Sequence, residues 1–494
     1  MSAPGRPAGC HRTWSGRVLD GLLCDPDAAA IVTVAGDFTA TWTRSELLRM
    51  AAGAIEVLDA NDVAPGECVP ALLTTQPASV ALLLAGAWSH RPLAPLGPRL
   101  TEHELRDCID RLDSTVLVAE PESAELAAQL ADETGRRLVI TDALAPGGPI
   151  GPADFAAEHG DVAFVMHTSG TTGAPKQVPA REGPLARRAE VNGTLLGLRP
   201  GARLVIGALF HHVAGLGNIA VALANHCAIV MFPSFSVPAW QSLKPFEPTH
   251  VITVPSVIEI LMAANALMLP SIRLIAYGGA PIHPDTARRV HNSMPHVDLV
   301  QLFGQTEGSP LTVLSPEDHR AAARGNGELL RSVGRAAPGV ELRIVDPGPD
   351  GVGEVWARCD HSLLTDADGW QHTGDLGRLA DGYLYLVGRS DDKIIRGGEN
   401  VFPVEVERVL ENHPQVAEAA VVGVADQRLG ETIRAYIVAA NPASRPDVDE
   451  LRTYCRQQLA GFKVPAQWRF AEALPRNAAG KLMRRQLVSP QEQR

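Results

Sequence analysis

The sequence predicts an α/β protein built from parallel, doubly wound sheets. Short apolar runs alternate with amphipathic segments along most of the chain, which is typical of strands followed by crossover helices. Glycine-rich turns follow several apolar runs, as expected where parallel strands end beside a ligand. At 494 residues the chain is too long for one ordinary core. We therefore expect a large N-terminal domain of doubly wound sheets with a β-subdomain, followed by a small α+β C-terminal domain.

The first elements follow this alternation. After a loose start to about Trp14, residues 28–34 alternate like a strand. Thr43 and Glu46 have capping-box spacing, so a helix begins there, and its apolar residues recur as far as Leu58. The same patterns predict strands over 68–73, 115–119 and 137–141, helices over 77–88 and 101–112, and an extended turn over 92–98.

A polar, glycine-rich loop follows the apolar run 162–166, which we predict to be a strand. In residues 167–178, Gly170 and Gly173 let backbone N–H groups approach a ligand, and the neighbouring Ser and Thr hydroxyls and Lys176 add donors. A solvated turn has a similar composition, but a lysine placed here after a strand favours a polyphosphate site. The loop is not a Walker A P-loop, because Gln177 follows Lys176 where that motif needs Ser or Thr.

Later strand ends carry further candidate residues. Gly278 and Gly279 fit a plain turn as well as a ligand contact. Thr306 and Glu307 suit a phosphate and its Mg²⁺, although a lone glutamate is more often a surface carboxylate. Asp375 can accept hydrogen bonds from ribose hydroxyls. The strands predicted in this part cover 204–210, 251–255, 274–277 and 297–303, with a hairpin over 381–388.

The chain becomes strongly charged at residues 389–393 and glycine-rich immediately afterwards. We place the domain boundary there, so that residues 1–389 form the N-terminal domain and residues 390–494 the C-terminal domain. Near the end of the second domain, a glycine turn presents Lys481. The patterns beyond the boundary predict helices over 403–412 and 449–459 and strands over 417–424, 434–438 and near Trp468.

Composition limits the function classes. A net charge of −12 and a pI near 5.7 argue against a nucleic-acid or anionic-membrane surface, because either needs clustered Lys and Arg. The seven cysteines are scattered without a Cys-x-x-Cys pair, which is typical of reduced thiols in the cytoplasm. We expect no signal peptide, because the first residues are rich in Pro, Gly and Arg and lack an apolar core, and no membrane span, because no apolar stretch is long enough. We therefore expect a cytoplasmic protein without a nucleic-acid partner.

Several motifs, and their order along the chain, resemble those of the adenylate-forming enzymes. This family includes acyl- and aryl-CoA ligases, luciferases and peptide-synthetase adenylation domains. The resemblance spans residues 28–485, and the small domain is most similar to those of benzoate- and halobenzoate-CoA ligases. The motifs are the loop at 167–178, Phe-Gly-Gln-Thr-Glu at 303–307, Thr-Gly-Asp at 373–375, Gly-Arg-Ser-Asp-Asp at 388–392 with Gly-Gly-Glu-Asn at 397–400, and Gly-Lys at 480–481.

This resemblance implies ATP and Mg²⁺ as cofactors and gives roles to individual residues. Thr306 would contact the α-phosphate and Glu307 the Mg²⁺, while Lys481 would be the catalytic lysine. Adenine would lie against Gly279, Ala280 and Phe303, and the ribose against Asp375 and Arg389. The residues that would surround the β- and γ-phosphates are Thr168, Ser169, Gly170, Thr171, Thr172, Gly173 and Lys176.

The implied reaction has two steps. A carboxylate attacks the α-phosphorus of ATP, pyrophosphate leaves, and a thiol then displaces AMP from the acyl adenylate. Lys481, Mg²⁺ and the glycine-rich loop would offset the charge that builds up in the first step. By the same resemblance, the small domain turns about a hinge at Asp391 between the steps, which withdraws Lys481 and brings Gly398 to the channel for pantetheine.

The acid and the acceptor are less defined. Amino-acid-activating relatives place an Asp near the position of His212, so the resemblance implies an aromatic or medium aliphatic acid whose pocket His212 lines or gates. The alternative for His212 is a polar residue at a strand end. CoA is the favoured acceptor, but Ala466 stands where such ligases commonly carry Lys, which leaves a carrier-protein phosphopantetheine or an amine as alternatives.

A nucleotide-binding regulator on the same scaffold is a further alternative. It is disfavoured because Lys481, Glu307 and Asp375 are all present. The sequence is compatible with a monomer or a homodimer.

Overall fold

The computed structural model describes residues 13–35, 38–97, 100–141, 145–151, 155, 157–168, 176–232, 235–280, 282–396, 399–426, 428–476 and 482–488, without the side chains of residues 35, 38, 391 and 400. The chain divides into two compact units. The first comprises Met1–Glu341 with Arg358–Gln371, and the second comprises Leu342–Ala357 with His372–Arg494.

The helices lie mainly in the first unit. In the described ranges the α-helices are α1 (Trp14–Cys24), α2 (Arg44–Ala60), α3 (Pro77–Trp88), α4 (Glu102–Ile109), α5 (Ala124–Thr134), α6 (Glu182–Leu196), α7 (Asn218–Ala224), α8 (Val237–Gln241), α9 (Pro255–Ala263), α10 (Pro284–Ser293), α11 (Pro316–Ala323), α12 (Pro403–Glu411) and α13 (Val448–Gln458). None of these helices combines the length and the apolar character that crossing a membrane requires.

One six-stranded sheet of the first unit has the order β6-β5-β3-β4-β7-β8. Its strands run parallel except for β8, which pairs antiparallel with β7 and so forms a hairpin with it. The strands of this sheet are β3 (Val69–Leu72), β4 (Leu93–Leu96), β5 (Val116–Ala119), β6 (Arg137–Ile140), β7 (Val162–Thr168) and β8 (Lys176–Arg181).

The second sheet of this unit has the order β15-β14-β13-β12-β11-β9-β10-β1-β2. The six strands from β13 to β1 are parallel, and β14, β15 and β2 add antiparallel edges. Its strands are β1 (Ala29–Ala35), β2 (Phe38–Thr43), β9 (Arg203–Ile206), β10 (Ala228–Met231), β11 (His250–Thr253), β12 (Leu274–Tyr277), β13 (Asp298–Phe303), β14 (Thr312–Leu314) and β15 (Arg335–Ala336).

A continuous hydrophobic core joins helices α1, α2, α3, α6 and α7 to strands of both sheets. Helix α3 is buried along its whole length, because its sequence is apolar on every face. Helix α1 is tied into this core by the indole of Trp14, which donates a 2.8 Å hydrogen bond to the carbonyl of Ala220 on α7. The core thereby holds the two sheets of this unit together.

The second unit contains a four-strand ribbon and a small α+β layer. The small layer has strand order β21-β20-β23-β22, with β24 parallel to β23, and its core includes residues of α12 and α13. The ribbon strands, in the order β16-β17-β18-β19, are β16 (Glu341–Val345), β17 (Gly353–Arg358), β18 (Gln371–Ala380) and β19 (Tyr383–Arg389). The others are β20 (Ile394–Arg396), β21 (Glu399–Val401), β22 (Val416–Asp426), β23 (Gly430–Ala439) and β24 (Gln467–Phe470).

The predicted fold class is confirmed, with corrections to single elements. The segment 92–98 is not just an extended turn, because Leu93–Leu96 forms β4 inside a sheet. Pro95 is tolerated in this strand because, among the described pairs, the register of β4 with β7 involves only Leu93. The strand predicted over 204–210 already ends at Ile206, and the helix predicted over 101–112 ends at Ile109.

Some elements carried too weak a pattern to be predicted. Helix α1 begins directly at the end of the expected loose start, where Thr13 caps it by accepting a hydrogen bond from the N–H of Gly16. Its first turn is also held by Glu182, which accepts hydrogen bonds from the Ser15 N–H at 2.8 Å and the Ser15 hydroxyl at 2.6 Å.

The domain boundary at 389/390 lies inside the second compact unit and stays a prediction.

Candidate active site

The glycine-rich loop joins two strands whose ends are held side by side. Thr168 is the last residue of β7, Lys176 is the first of β8, and their Cα atoms are register partners. The antiparallel pairing therefore positions both ends of the loop. The predicted phosphate contacts of Ser169, Gly170, Thr171, Thr172 and Gly173 lie outside the described residues.

Lys176 and Glu307 come together although they are far apart in the sequence. The ammonium Nζ of Lys176 lies 3.8 Å from Oε1 of Glu307, which is an ion-pair distance and longer than a hydrogen bond. The lysine side chain is 53% exposed, whereas the glutamate side chain is 18% exposed. The structure thus places a half-exposed cation beside a mostly buried carboxylate.

A tight turn after β13 presents Glu307. The N–H of Gln305 donates to the carbonyl of Gly308 at 2.7 Å, and the N–H of Gly308 donates back to Gln305 at 3.1 Å. The N–H of Leu363 donates to the carbonyl of Glu307 at 2.6 Å. A Cβ at Gly308 would lie 2.0 Å from Oε1 of Gln371, so the closed turn needs glycine there. These contacts fix the direction in which the Thr306 and Glu307 side chains leave the turn.

Arg188 is a residue of this site that the sequence reasoning missed. It lies on α6, and its Nη2 donates a 3.0 Å hydrogen bond to the carbonyl of Thr306. Burial lowers the pKa of Arg188 to about 10, and the negative charge of Glu307 opposes this shift. Its position on the helix could have indicated that Arg188 is buried, because it falls on the stripe of α6 that also carries the buried residues Leu185 and Asn192.

The residues predicted to flank adenine share one edge of the second sheet. Strands β12 and β13 are parallel, and Gly278, Gly279 and Ala280 follow the first while Phe303 ends the second. Gly279 has φ of +77°, which favours glycine. A Cβ at Gly278 would lie 2.6 Å from the carbonyl oxygen of Leu302. The backbone at this edge is therefore closely packed, and it lies where α/β sheets bind ligands.

His212 lies after β9, at the start of a π-helical turn that leads into α7. Its ring centroid is 4.1 Å from that of His211, which itself packs against Gly97. Burial lowers the pKa of His212, so its imidazole is neutral at physiological pH. The structure shows an uncharged, half-buried histidine, and its role at an acid pocket stays a prediction.

The predicted ribose contacts belong to the second compact unit. Asp375 on β18 and Arg389 on β19 are register partners, and Nη1 of Arg389 lies 3.4 Å from Oδ1 of Asp375. The backbone N–H of Asp375 also donates a 3.0 Å hydrogen bond to the hydroxyl of Thr373. The backbone of Asp375 is therefore held within its own strand, and its carboxylate is held by Arg389 on the neighbouring strand.

Three further predicted residues lie wholly or partly outside the described part of the chain. Lys481 and Gly398 lie outside the described residues. The backbone at Asp391 forms a short 3₁₀ turn, Ser390–Asp392, and its side chain is not described. The catalytic, pantetheine and hinge roles of these three residues stay predictions.

The acidic residues of the described ranges do not form a resident metal cluster, since no three His, Cys, Asp or Glu side chains converge there. Glu307 alone fits a different kind of metal site. Mg²⁺ is commonly held by one or two carboxylates together with phosphate oxygens of the substrate. The donor set is therefore suited to a metal that binds together with a nucleotide.

Comparison with known proteins gives matches along both parts of the chain. The family model described as AMP-binding enzyme matches residues 23–363, and the model described as AMP-binding enzyme C-terminal domain matches residues 405–481.

Relatives match over nearly the whole length. Feruloyl-CoA synthase from Amycolatopsis sp is 32% identical over 458 residues, which cover 90% of this chain and 92% of that protein. The fatty acid–[acyl-carrier-protein] ligase ScoC from Streptomyces coeruleorubidus is 30% identical over 479 residues, with coverage of 90% and 91%.

A solved structure also matches over nearly the whole chain. The amide bond synthetase McbA from Marinactinospora thermotolerans superposes with a TM-score of 0.83 at 28% identity, covering 96% of this chain and 98% of that one. The matches include the turn that carries Glu307 and the hairpin of the glycine-rich loop. The chain therefore belongs to the family of AMP-binding enzymes.

Proposed function

We propose that the protein activates a carboxylic acid with ATP to an acyl adenylate and then transfers the acyl group to a thiol, with CoA as the favoured acceptor. The observation that carries this proposal is the meeting of Lys176 and Glu307 at 3.8 Å, beside the strand ends that hold the glycine-rich loop. A cation and a carboxylate at this point suit a polyphosphate and its metal ion. Membership of the AMP-binding enzymes supports the same chemistry.

In the first step, a carboxylate approaches the negatively charged α-phosphate, so positive charge and hydrogen-bond donors must be in place before the reaction. Lys176 would bind the leaving pyrophosphate, and the Thr306 hydroxyl would donate to the α-phosphate. Glu307 would hold Mg²⁺, which supplies charge neutralisation on the phosphates when it is bound. Lys481 would neutralise the attacking carboxylate and the α-phosphate. The fixed turn at 305–308 keeps Thr306 and Glu307 oriented without reorganisation.

The nucleoside would be bound by backbone and by one carboxylate. Gly279 and Ala280 are exposed at the strand edge and leave room for a flat base, while Phe303 is half-buried and would stack on it. Asp375 would accept hydrogen bonds from both ribose hydroxyls, oriented by Arg389.

The acid is proposed to be aromatic or medium aliphatic. His212 is neutral, so it offers no negative charge for the α-ammonium of an amino acid. Among the relatives, feruloyl-CoA synthase is named for an aromatic acid and ScoC for a fatty acid.

A second candidate function transfers the acyl group to a carrier protein or an amine. In the second unit, Nζ of Lys463 lies 2.7 Å and 2.8 Å from the two carboxylate oxygens of Glu405. Its charge is therefore already offset, and Ala466 lacks the charge that related ligases carry nearby. Weak phosphate recognition there favours an acceptor other than free CoA. The ACP ligase and the amide synthetase among the relatives agree with this alternative.

The experiment that tests the proposal is acid-dependent exchange of labelled pyrophosphate into ATP, measured over a panel of aryl, cinnamyl and alkyl acids. Exchange with one class of acids is expected and identifies the substrate class. AMP release is then compared with CoA, a phosphopantetheinylated carrier protein or an amine as acceptor. If no acid supports exchange, the proposed adenylation is wrong.

We also propose that the enzyme works in the cytoplasm as a monomer or homodimer. Six of its cysteines lie in the described ranges, and all six are free thiols there. Sedimentation of the purified full chain would give the oligomeric state.

A further inference from the structure

The guanidinium of Arg188 is buried and only partly satisfied. The residue is 2% exposed, and the one hydrogen bond of its guanidinium within the described structure joins Nη2 to the carbonyl of Thr306 at 3.0 Å. Its Nε and Nη1 are both buried and have no hydrogen-bond partner among the described residues. A buried cation with unpaired N–H groups destabilises a folded protein unless another group meets it. Arg188 therefore needs an explanation beyond packing.

Among the described residues, no anion lies at hydrogen-bond distance from the guanidinium of Arg188. Glu307 is close enough to act on its charge, but the carboxylate of Glu307 pairs with Lys176 on the other side. Cys359 is the other acidic neighbour, and burial raises the pKa of its thiol, so the sulfur stays protonated at neutral pH. The Cys359 sulfur lies 3.2 Å from the hydroxyl of Ser362. In the part of the chain that the structure describes, Arg188 thus has no ion-pair partner.

We propose that Arg188 binds an oxyanion of the carboxylic acid substrate, which makes it a binding residue inside the acid pocket. This inference rests on the proposed function. The polyphosphate is the other anion of the proposed reaction, and its proposed partner is Lys176, which is 53% exposed. Arg188 is inside the unit, behind the backbone of Thr306, where a ligand must leave water to reach it. The acid is the substrate that enters the interior, so its oxygen atoms are the acceptors for Nε and Nη1.

Two oxyanions of the acid have this chemistry. One is the carboxylate that reacts with ATP, and the other is a second acidic group, carboxylate or sulfonate, at the far end of the acid. If Arg188 binds the reacting carboxylate, the activation of every acid depends on Arg188. If Arg188 binds a second acidic group, it selects diacids over monoacids with the same skeleton, because a monoacid would leave the buried guanidinium without a partner.

The test compares Arg188→Met with Arg187→Met in the full chain. Arg187 precedes Arg188 on the same helix, but its side chain is 40% exposed and pairs with Glu190 at 2.8 Å, so it controls for the loss of one arginine from α6. For each protein, kcat/KM for acids is measured by pyrophosphate exchange with matched monoacids and diacids. The KM for ATP and the melting temperature without ligand are measured beside it.

We expect Arg188→Met to lower kcat/KM for the acids that use Arg188 by roughly 10²-fold or more, while Arg187→Met changes it little. The KM for ATP should stay within about twofold, because Lys176 and Glu307, the proposed partners of the polyphosphate and Mg²⁺, are unchanged. The melting temperature without ligand should stay equal or rise, since the variant removes a buried, unpaired charge. Loss for all acids identifies the reacting carboxylate, and loss for diacids alone identifies a second acidic group.

Other outcomes would overturn the inference. If kcat/KM for every acid is retained, or if the melting temperature falls and the KM for ATP rises together with the acid effects, Arg188 has only a structural role. An acid-binding measurement separates this inference from the proposed function. If the wild-type protein shows no exchange at all, the proposed adenylation is wrong. The inference about Arg188 is then supported if benzoate or a matched diacid raises the melting temperature of wild type but not of Arg188→Met, and it is overturned if both proteins respond equally.

Discussion

At the scale of single residues, the candidate site depends on charges placed at different depths. Lys176 faces solvent, Glu307 is mostly buried, and Arg188 is fully enclosed. Coulombic effects strengthen as water is excluded, so the same unit charge has a larger effect at Glu307 than at Lys176. This gradient leads to a prediction for the one carboxylate of the turn.

Glu307→Gln should lower the rate of pyrophosphate exchange by roughly 10²-fold and raise the Mg²⁺ concentration needed for half-maximal rate. The amide keeps the size of the side chain but removes the charge that would hold the metal. The measurement is exchange as a function of Mg²⁺ at saturating ATP and acid.

Glu190→Gln is the matched control for this prediction, because Glu190 is 50% exposed and pairs with Arg187 away from the turn. It should keep the Mg²⁺ dependence of wild type. An unchanged Mg²⁺ requirement in Glu307→Gln would show that Glu307 does not hold the metal.

At the scale of elements, the contact between α1 and α6 shows how a buried carboxylate can attach one helix to another. Glu182, the first residue of α6, accepts two hydrogen bonds from Ser15 in the first turn of α1. Burial raises the pKa of Glu182 to about 7 from 4.5, and the hydrogen bonds from Ser15 oppose the shift. The folded state therefore binds a proton that the unfolded state has already released between these pH values.

The free energy of unfolding should accordingly fall as pH rises from about 4.5 to 7, by roughly 3 kcal/mol from this group, and it should level off above that range. Glu182→Gln keeps an acceptor for Ser15 but cannot ionise, so its profile should be flatter over the same range. The measurement is chemical denaturation of both proteins at several pH values.

The difference between the two proteins is the quantity to use, because burial also raises the pKa of Glu411 to about 7 and adds the same pH dependence to both. Ser15→Ala is a useful companion, since it removes one of the opposing hydrogen bonds and should steepen the profile. Parallel profiles for wild type and Glu182→Gln would contradict the assignment.

At the scale of the whole molecule, the proposed reaction needs the two steps to use different arrangements of the chain. Lys481 is proposed to act only while the adenylate forms. Lys481→Ala should therefore abolish pyrophosphate exchange and leave transfer from a supplied acyl adenylate to the thiol nearly intact. The two half-reactions are measured separately, by isotope exchange and by release of AMP from synthetic adenylate.

Lys244→Ala serves as the control here, because Lys244 is an exposed lysine of the first unit, and it should retain both half-reactions. Equal loss of both half-reactions in Lys481→Ala would contradict the proposed hinge at Asp391. A loss confined to transfer would reverse the order in which the lysine acts.

Much of the fold could be predicted from local pattern. The spacing of Thr43 and Glu46 predicted the start of α2, and the structure shows the full capping box there. Strand β4 was missed because Pro95 is unfavourable in a strand, and only the limited pairing with β7 makes it acceptable. Helix α1 was missed because its hydrogen bonds to Glu182 and Ala220 come from distant parts of the chain.

The sequence by itself determined the α/β class, the order of the motifs and the residue types that suit phosphate, metal and ribose. These follow from side-chain periodicity and from turn chemistry, which act between residues close in the chain. Only the tertiary structure decided that Lys176 meets Glu307 and that Arg188 is enclosed beneath Thr306. Both depend on how helices pack between sheets, because packing sets which distant residues approach each other and which charges lose contact with water.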